Sequence, residues 1–196
     1  MNYFDDDGNK LSVPMLEPAS GLTNSATTVT EALAPGASLL IQTQGAEDAS
    51  KTSTGWVQLT TTGNVSGFAV FQIEKTLQEA VVPLEARQAG VYVLAFDNSD
   101  GLTTGLAIAN ASSQTATIPA VVRNDAGQPI ASGSLMVAAH GHTSFMLTDT
   151  DHGGYAQTAG KRGTIEFDTP AGGQISVLGI RATAAGIITT IPALAK

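Results

Sequence analysis

The chain contains no cysteine. Disulfides, thiolate catalysis and cysteine-ligated zinc or iron–sulfur centres are therefore excluded. Charged residues are scarce as well, at 13% of 196 residues, about half the usual share of a soluble domain. Only nine are Lys or Arg, against 17 Asp and Glu, for a net charge of −8. Only Lys161 and Arg162 among the basic residues are adjacent. Nucleic-acid binding needs clustered cations to meet phosphates, so no nucleic-acid partner is expected, nor attraction to an anionic membrane surface. No apolar run reaches the length of a membrane span, and no membrane insertion is expected. The start, Met1 to Asp7, has neither the basic nor the apolar segment of a signal peptide. An exported protein would carry its signal upstream of this sequence. The aromatic content is only 5%.

What fills the space is Thr, Ser, Ala and Gly, within a chain that is 42% hydrophobic. Small β-tolerant polar residues in place of Lys and Glu point to sheets and turns, and to a secreted or cell-surface protein. Short β-rich runs recur: Val91–Phe96, Leu106–Ala109, Ala116–Arg123, Thr143–Leu147, Thr164–Phe167, Ile175–Arg181 and Ile187–Ile191. Turn compositions separate them, such as Asn98-Ser99-Asp100-Gly101 and Asn124-Asp125-Ala126-Gly127. Several short strands at this spacing predict an all-β sandwich or barrel. The best helical candidates, Asn24–Leu33 and Lys75–Ala86, are poor. The second holds Pro83 and reads better as a turn followed by a strand.

The most informative feature is internal similarity. Gly55-Trp56-Val57-Gln58-Leu59-Thr60-Thr61 resembles Gly163-Thr164-Ile165-Glu166-Phe167-Asp168-Thr169. Val65–Phe71 resembles Ile175–Arg181, and Ala80-Val81-Val82-Pro83 resembles Thr189-Thr190-Ile191-Pro192. Upstream, Asp5–Leu11 lines up with Asn124–Ile130, and Ala34–Ser38 with Ala139–Thr143. The expected organisation is two related β-sandwich repeats, 1–86 and 87–196. The first begins at its hairpin turn and lacks whatever matches Gly90–Val122. Three arrangements fit: a fragment of a longer chain, a gap covered by the second repeat, or strands donated by a neighbouring subunit. The acidic charge is concentrated in residues 1–86, with ten acids against three bases; residues 87–196 carry seven against six.

Phe96-Asp97-Asn98 with Gly101–Asn110, Asp5–Pro14, and Gly55-Trp56-Val57 with Val65–Phe71 resemble a module of secreted multidomain proteins from soil bacteria. The resemblance covers nearly the whole chain. It implies tandem immunoglobulin-like sandwiches within long exported chains, and it implies no catalytic residues.

Candidate chemistry is sparse. Asp5, Asp6 and Asp7 before Gly8 could supply oxygen ligands to Ca²⁺. The matching segment, Asn124-Asp125-Ala126-Gly127, keeps the turn and loses a carboxylate, which favours a hairpin turn. His140 and His142, with Asp149, Asp151 and His152 near in sequence, could contribute to a zinc site if they converged. Otherwise they are surface histidines on a turn, and no cofactor is expected. No Gly-x-Ser-x-Gly elbow, phosphate loop or distinguished carboxylate pair is present, so an enzyme is not expected. For carbohydrate, Trp56, Tyr92 and Tyr155 are the candidate exposed rings; the simpler reading of Trp56 is a half-buried cross-strand residue. Phe68, Phe71, Phe96, Phe145 and Phe167 are expected in the core. The expected function is a structural or spacer module, or an adhesion-type one, with other domains of a longer chain as partners. The alternatives are a polysaccharide-binding module and a subunit completed by strand addition.

Overall fold

The computed structural model describes residues 1–17, 21–44, 53–73 and 76–196. Among them the protein is all-β. Residues 1–86 carry β1 (Asn2–Asp5), β2 (Val13–Glu17), β3 (Leu22–Ala26), β4 (Gln42–Thr43), β5 (Gly55–Gln58), β6 (Phe68–Ile73) and β7 (Gln78–Pro83). Residues 87–196 carry β8 (Val91–Asp97), β9 (Leu102–Asn110), β10 (Ala116–Asn124), β11 (Pro129–Val137), β12 (His142–Met146), β13 (Arg162–Asp168), β14 (Ile175–Thr183), β15 (Ile188–Pro192) and β16 (Leu194–Ala195). Two single 3-10 turns, Thr150–His152 and Ala156–Thr158, are the helical content. The candidate helix at 24–33 instead begins in β3, and Gln78–Pro83 is a strand. Glu74 and Lys75 lie outside the described residues.

The later part is sandwich-like. A five-stranded sheet, β11-β10-β13-β8-β16, and a four-stranded sheet, β12-β9-β14-β15, share one core. Alternation explains it. In β8 Tyr92, Leu94 and Phe96 point inward, as do Ile165 and Phe167 in β13 and Ile175 and Val177 in β14. Side chains repeat every second residue in a strand, so each strand gives one face to the interior. Each large aliphatic or aromatic residue so buried stabilises the fold by roughly 1.5–3 kcal/mol. Phe96, Phe145 and Phe167 lie in this core as expected.

The interior also holds polar structure. Asn110 is fully buried. Its Nδ2 donates to the carbonyls of Gln114, Val137 and Ala138 at 2.7–3.2 Å, and its Oδ1 accepts from the backbone and hydroxyl of Ser112. This one side chain ties the β9–β10 connection to the end of β11.

The earlier part is built from smaller sheets: β1-β5, β3-β2-β4 and β6-β7. Its pairings coincide with those of the later part. Asp5 lies opposite Gly55, Phe4 opposite Trp56 and Tyr3 opposite Val57. Asn124 lies opposite Gly163, Arg123 opposite Thr164 and Val122 opposite Ile165. The turns also agree. Asp5 Oδ1 accepts from the amides of Asp7 and Asn9, and Asn124 Oδ1 from those of Ala126 and Gln128. Gly8 and Gly127 close these turns at φ of 86° and 76°. A Cβ on Gly55 would sit 2.1 Å from the Phe4 carbonyl oxygen, and one on Gly163 would sit 1.9 Å from that of Arg123. Both approaches admit only glycine.

The second hairpin matches as well. Phe68 faces Pro83, Ala69 faces Val82 and Val70 faces Val81. Leu178 faces Pro192, Gly179 faces Ile191 and Ile180 faces Thr190. One sequence alignment needs correction. A positive φ falls on Gly36 in the turn from Ala34 to Ala37, and on His140 in the turn from Ala138 to Gly141. Gly36 therefore corresponds to His140, one residue earlier than the sequence alignment placed it. The hairpin of β2 and β3 interrupts the strand beside β1. Phe4 bridges Lys10 before the hairpin and Asn2 bridges Thr28 after it.

Candidate functional site

Two regions of the surface stand out. The first is the seam between the two parts. Phe4 and Trp56 are cross-strand neighbours on one face of the β1-β5 sheet, with ring centroids 5.5 Å apart. The imidazole of His140 also stacks on Phe4, with centroids 4.9 Å apart. Trp56 Nε1 donates to the carbonyl of His140 at 2.8 Å. Lys10 Nζ lies 4.4 Å from the centre of the Phe4 ring, a cation–π distance. Around this stack, the backbone N–H of His142 donates to the Asp6 carbonyl at 3.0 Å. His142 Nδ1 lies 2.8 Å from Asp6 Oδ1, and the Thr54 hydroxyl donates to Asp6 Oδ2. A Cβ on Gly8 would lie 2.1 Å from the Ala139 carbonyl oxygen. The Asp5–Gly8 turn thus seats directly on residues 138–142.

This geometry relocates the candidate ligands. Asp5 spends its carboxylate on the amides of its own turn, and Asp6 faces His142. The Asp7 side chain has no partner in common with them. His140 is stacked on Phe4, while His152 pairs with Asp149 at 2.7 Å elsewhere. Among the described residues no group of three His, Cys, Asp or Glu side chains comes together to hold a metal. Charge in this part of the later sheet is organised locally. Asp97 is held below the ordinary aspartate range, first by the Ser99 hydroxyl, then by the Ser99 amide, with Arg162 and Arg181 adding to it.

The three rings considered for carbohydrate do not form a row. Tyr92, expected at the surface, is fully buried in the core, under the guanidinium of Arg87. Its inward position in β8 follows from alternation with Leu94 and Phe96. Tyr155 is half-buried against the core beside Gly133, and burial pushes its phenol above the usual value. Trp56 is half-buried in the seam.

The second region is the β6-β7 hairpin. Every residue of β6, Phe68-Ala69-Val70-Phe71-Gln72-Ile73, is exposed. Phe68 and Phe71, expected in the core, are 72% and 50% exposed. The cause is missing neighbours. In the later part β14 lies between β15 and β9, and β13 between β10 and β8. Among the described residues β6 pairs with β7 alone and β5 with β1 alone. On its far side β7 lies by β15, where Thr190 donates its hydroxyl to the Val81 carbonyl at 2.7 Å. Residue type alone marked Phe68 and Phe71 as interior, and no local signal in the sequence distinguishes them from Phe145 or Phe167.

No helix of the described residues is long and apolar enough to cross a membrane. Comparison with protein-family models, with curated proteins and with solved structures returns no match.

Proposed function

We propose that this chain is a non-catalytic structural or adhesion-type segment of an exported protein, built from two related immunoglobulin-like β-sandwich modules, 1–86 and 87–196. Among the described residues of 1–86 no strands match β8 and β9. The observation that carries this reading is the common register of two separate strand pairs, down to the glycines at 55 and 163 that face a carbonyl. Repeated units docked through a seam of stacked rings suit a spacer, since the seam fixes one module on the next. The low charge and abundance of Thr and Ser support an extracellular setting.

Antibody labelling of intact and permeabilised producing cells tests the placement. Labelling of intact cells that is lost on protease treatment is the expected result. Labelling confined to permeabilised cells would overturn it. A polysaccharide platform gains little support, because Trp56, Tyr92 and Tyr155 lie apart. Completion by strand addition is favoured by the exposed strand β6.

A further inference from the structure

The geometry assigns the cleft at one end of residues 87–196 as a binding site for a carboxylate-bearing sugar, a uronic acid unit of an acidic glycan. The choice of a glycan rests on the exported, adhesion-type reading. The cleft lies where the β8–β9 turn, the β10–β11 turn and the start of β13 meet. It has a volume of about 420 Å³ and is lined by Ser99, Asn124, Asp125, Gly160, Lys161 and Arg162, a size suited to a small ligand. Lys161 and Arg162 are the only adjacent cations of the chain. The guanidinium of Arg162 is fixed in place. Its Nε donates to Ser99 Oγ at 3.0 Å and its Nη2 to Asp100 Oδ2 at 3.2 Å, with Asp97 Oδ2 3.5 Å from Nε. That leaves Nη1 to donate. Lys161 enters none of the ion pairs among the described residues. Asn124 Oδ1 is spent on the amides of Ala126 and Gln128, which leaves its Nδ2 to donate. The wall of the cleft is pinned to Asn98, whose N–H donates to the Lys161 carbonyl and whose carbonyl accepts from Gly160. Asn98 is 8% exposed, and its Nδ2 is a further buried donor with no partner among the described residues.

Donors alone would fit any oxyanion, and Asp125 narrows the class. Its carboxylate lines the cleft and is exposed, so it repels a bare anion and accepts hydrogen bonds only. A ligand with hydroxyls beside its carboxylate answers both. The carboxylate takes charge-assisted hydrogen bonds from Lys161 and Arg162 Nη1, and a hydroxyl donates to Asp125. Uronic acids carry this combination, and no platform of aromatic rings is needed. A phosphate polymer fits poorly, because two cations in one cleft cannot follow a charged backbone. The earlier part shows the set to be particular to the later one. Through the match of Gly55 with Gly163, Thr54 stands where the later part has Arg162 and Ser53 where it has Lys161. Asp5 and Asp6 stand at the places of Asn124 and Asp125. There Asp6 takes the Thr54 hydroxyl and faces His142, so that end is consumed by the seam. In the later part the same end is open, with no atom within 4 Å of a Cβ built on Gly127 or Gly160, and it carries both cations.

The test titrates the full chain with trigalacturonate and with its methyl ester, by calorimetry at low salt. Saturable one-to-one binding of trigalacturonate is expected, with Kd of about 1 mM or tighter, and with amide shifts in nuclear magnetic resonance confined to 99, 124–125 and 160–162. The ester, which lacks the charge, should bind at least about tenfold more weakly, and Lys161→Ala should cost trigalacturonate a similar factor. Asn124→Asp keeps an acceptor for its turn, as Asp5 does, and removes the donor; binding should fall while the thermal unfolding midpoint holds. Asp125→Ala decides the class. A site for a bare anion would gain from losing that negative charge, whereas a sugar site loses its hydroxyl acceptor, so weaker binding is expected. No binding, equal binding of the ester, or unchanged or tighter binding to Asp125→Ala would overturn the assignment. Surface labelling that succeeds while trigalacturonate fails removes only this site. Trigalacturonate binding without surface labelling removes only the exported placement.

Discussion

The ring of Phe4 lies flat on the imidazole of His140, with planes 8° from parallel. The two residues are 136 positions apart, and the contact joins β1 to the turn after β11. His140 holds this position at φ 54°, in a left-handed conformation that costs a non-glycine residue about 1 kcal/mol. The stack and the hydrogen bond from Trp56 to its carbonyl offset that cost.

Loss of the stack should open the seam. Trp56 is the sole tryptophan, so its emission reports on the contact directly. His140→Ala is expected to shift Trp56 emission to the red and to lower stability by about 1–2 kcal/mol, the worth of an aromatic pair with its packing. Trp56→Phe keeps a ring and loses only the hydrogen bond, for about 1 kcal/mol. Denaturant unfolding followed by circular dichroism checks both. An unchanged emission maximum in His140→Ala would contradict the seam.

A side chain at position 8 cannot be accommodated. Gly8→Ala places a Cβ against the Ala139 carbonyl and imposes a left-handed φ on alanine. A loss of at least about 2 kcal/mol is expected, combining backbone strain with the displaced contact. Gly127→Ala has a similar positive φ but open space around it, so it should cost about 1 kcal/mol. Thermal unfolding of the pair separates the strain from the contact.

Asn110 offers a second comparison. Asn110→Leu takes a donor from the carbonyls of Gln114 and Val137 and the acceptor from the amide of Ser112, while the Ala138 carbonyl keeps the Gly141 N–H. Unpaired buried groups cost 1–3 kcal/mol each, so a loss of roughly 3 kcal/mol or more is expected. Asn110→Asp should do no better at neutral pH, since a carboxylate faces carbonyl oxygens. Guanidinium unfolding midpoints test both, and an Asp variant as stable as the native chain would refute the assignment.

Acid should weaken the β8–β9 turn. The Asp97 carboxylate is lowered by the Ser99 hydroxyl and amide, and then by the neighbouring arginines. A depressed value means that its contribution is fully present above the ordinary aspartate range, near 4, and is lost as the pH falls through the lower folded value. The native chain should therefore lose more stability between pH 5 and pH 2 than Asp97→Asn does. Equal losses would show the interaction to be inert.

Much of this architecture was legible in the sequence because register is local chemistry. The turn at Asp5–Gly8 and its counterpart at Asn124–Gly127 announce themselves by an Asx residue and a glycine. The strands that follow were found by alternation. Burial was less accessible, since it depends on strands far away in the chain. Phe68 and Phe167 look alike as residues, yet among the described residues the strand of one has a single neighbour and that of the other has two. Tyr92 was misplaced for the converse reason: its ring is amphipathic, and only the inward phase of β8 assigns it to the core. The seam escaped notice because Trp56 and His140 are ordinary surface residues until two sheets meet.

The short strand β16 has a mechanical meaning. Leu194 and Ala195 pair antiparallel with Val93 and Tyr92, and Lys196 N–H donates to the Val91 carbonyl. Entry and exit of residues 87–196 thus sit side by side at one end of a sheet. Tension applied between residues 84–90 and Lys196 would peel these bonds apart in succession, as a zipper opens, instead of shearing them together. Under such a load the two-residue β16 would part from β8 first, while β8 keeps its pairing with β13.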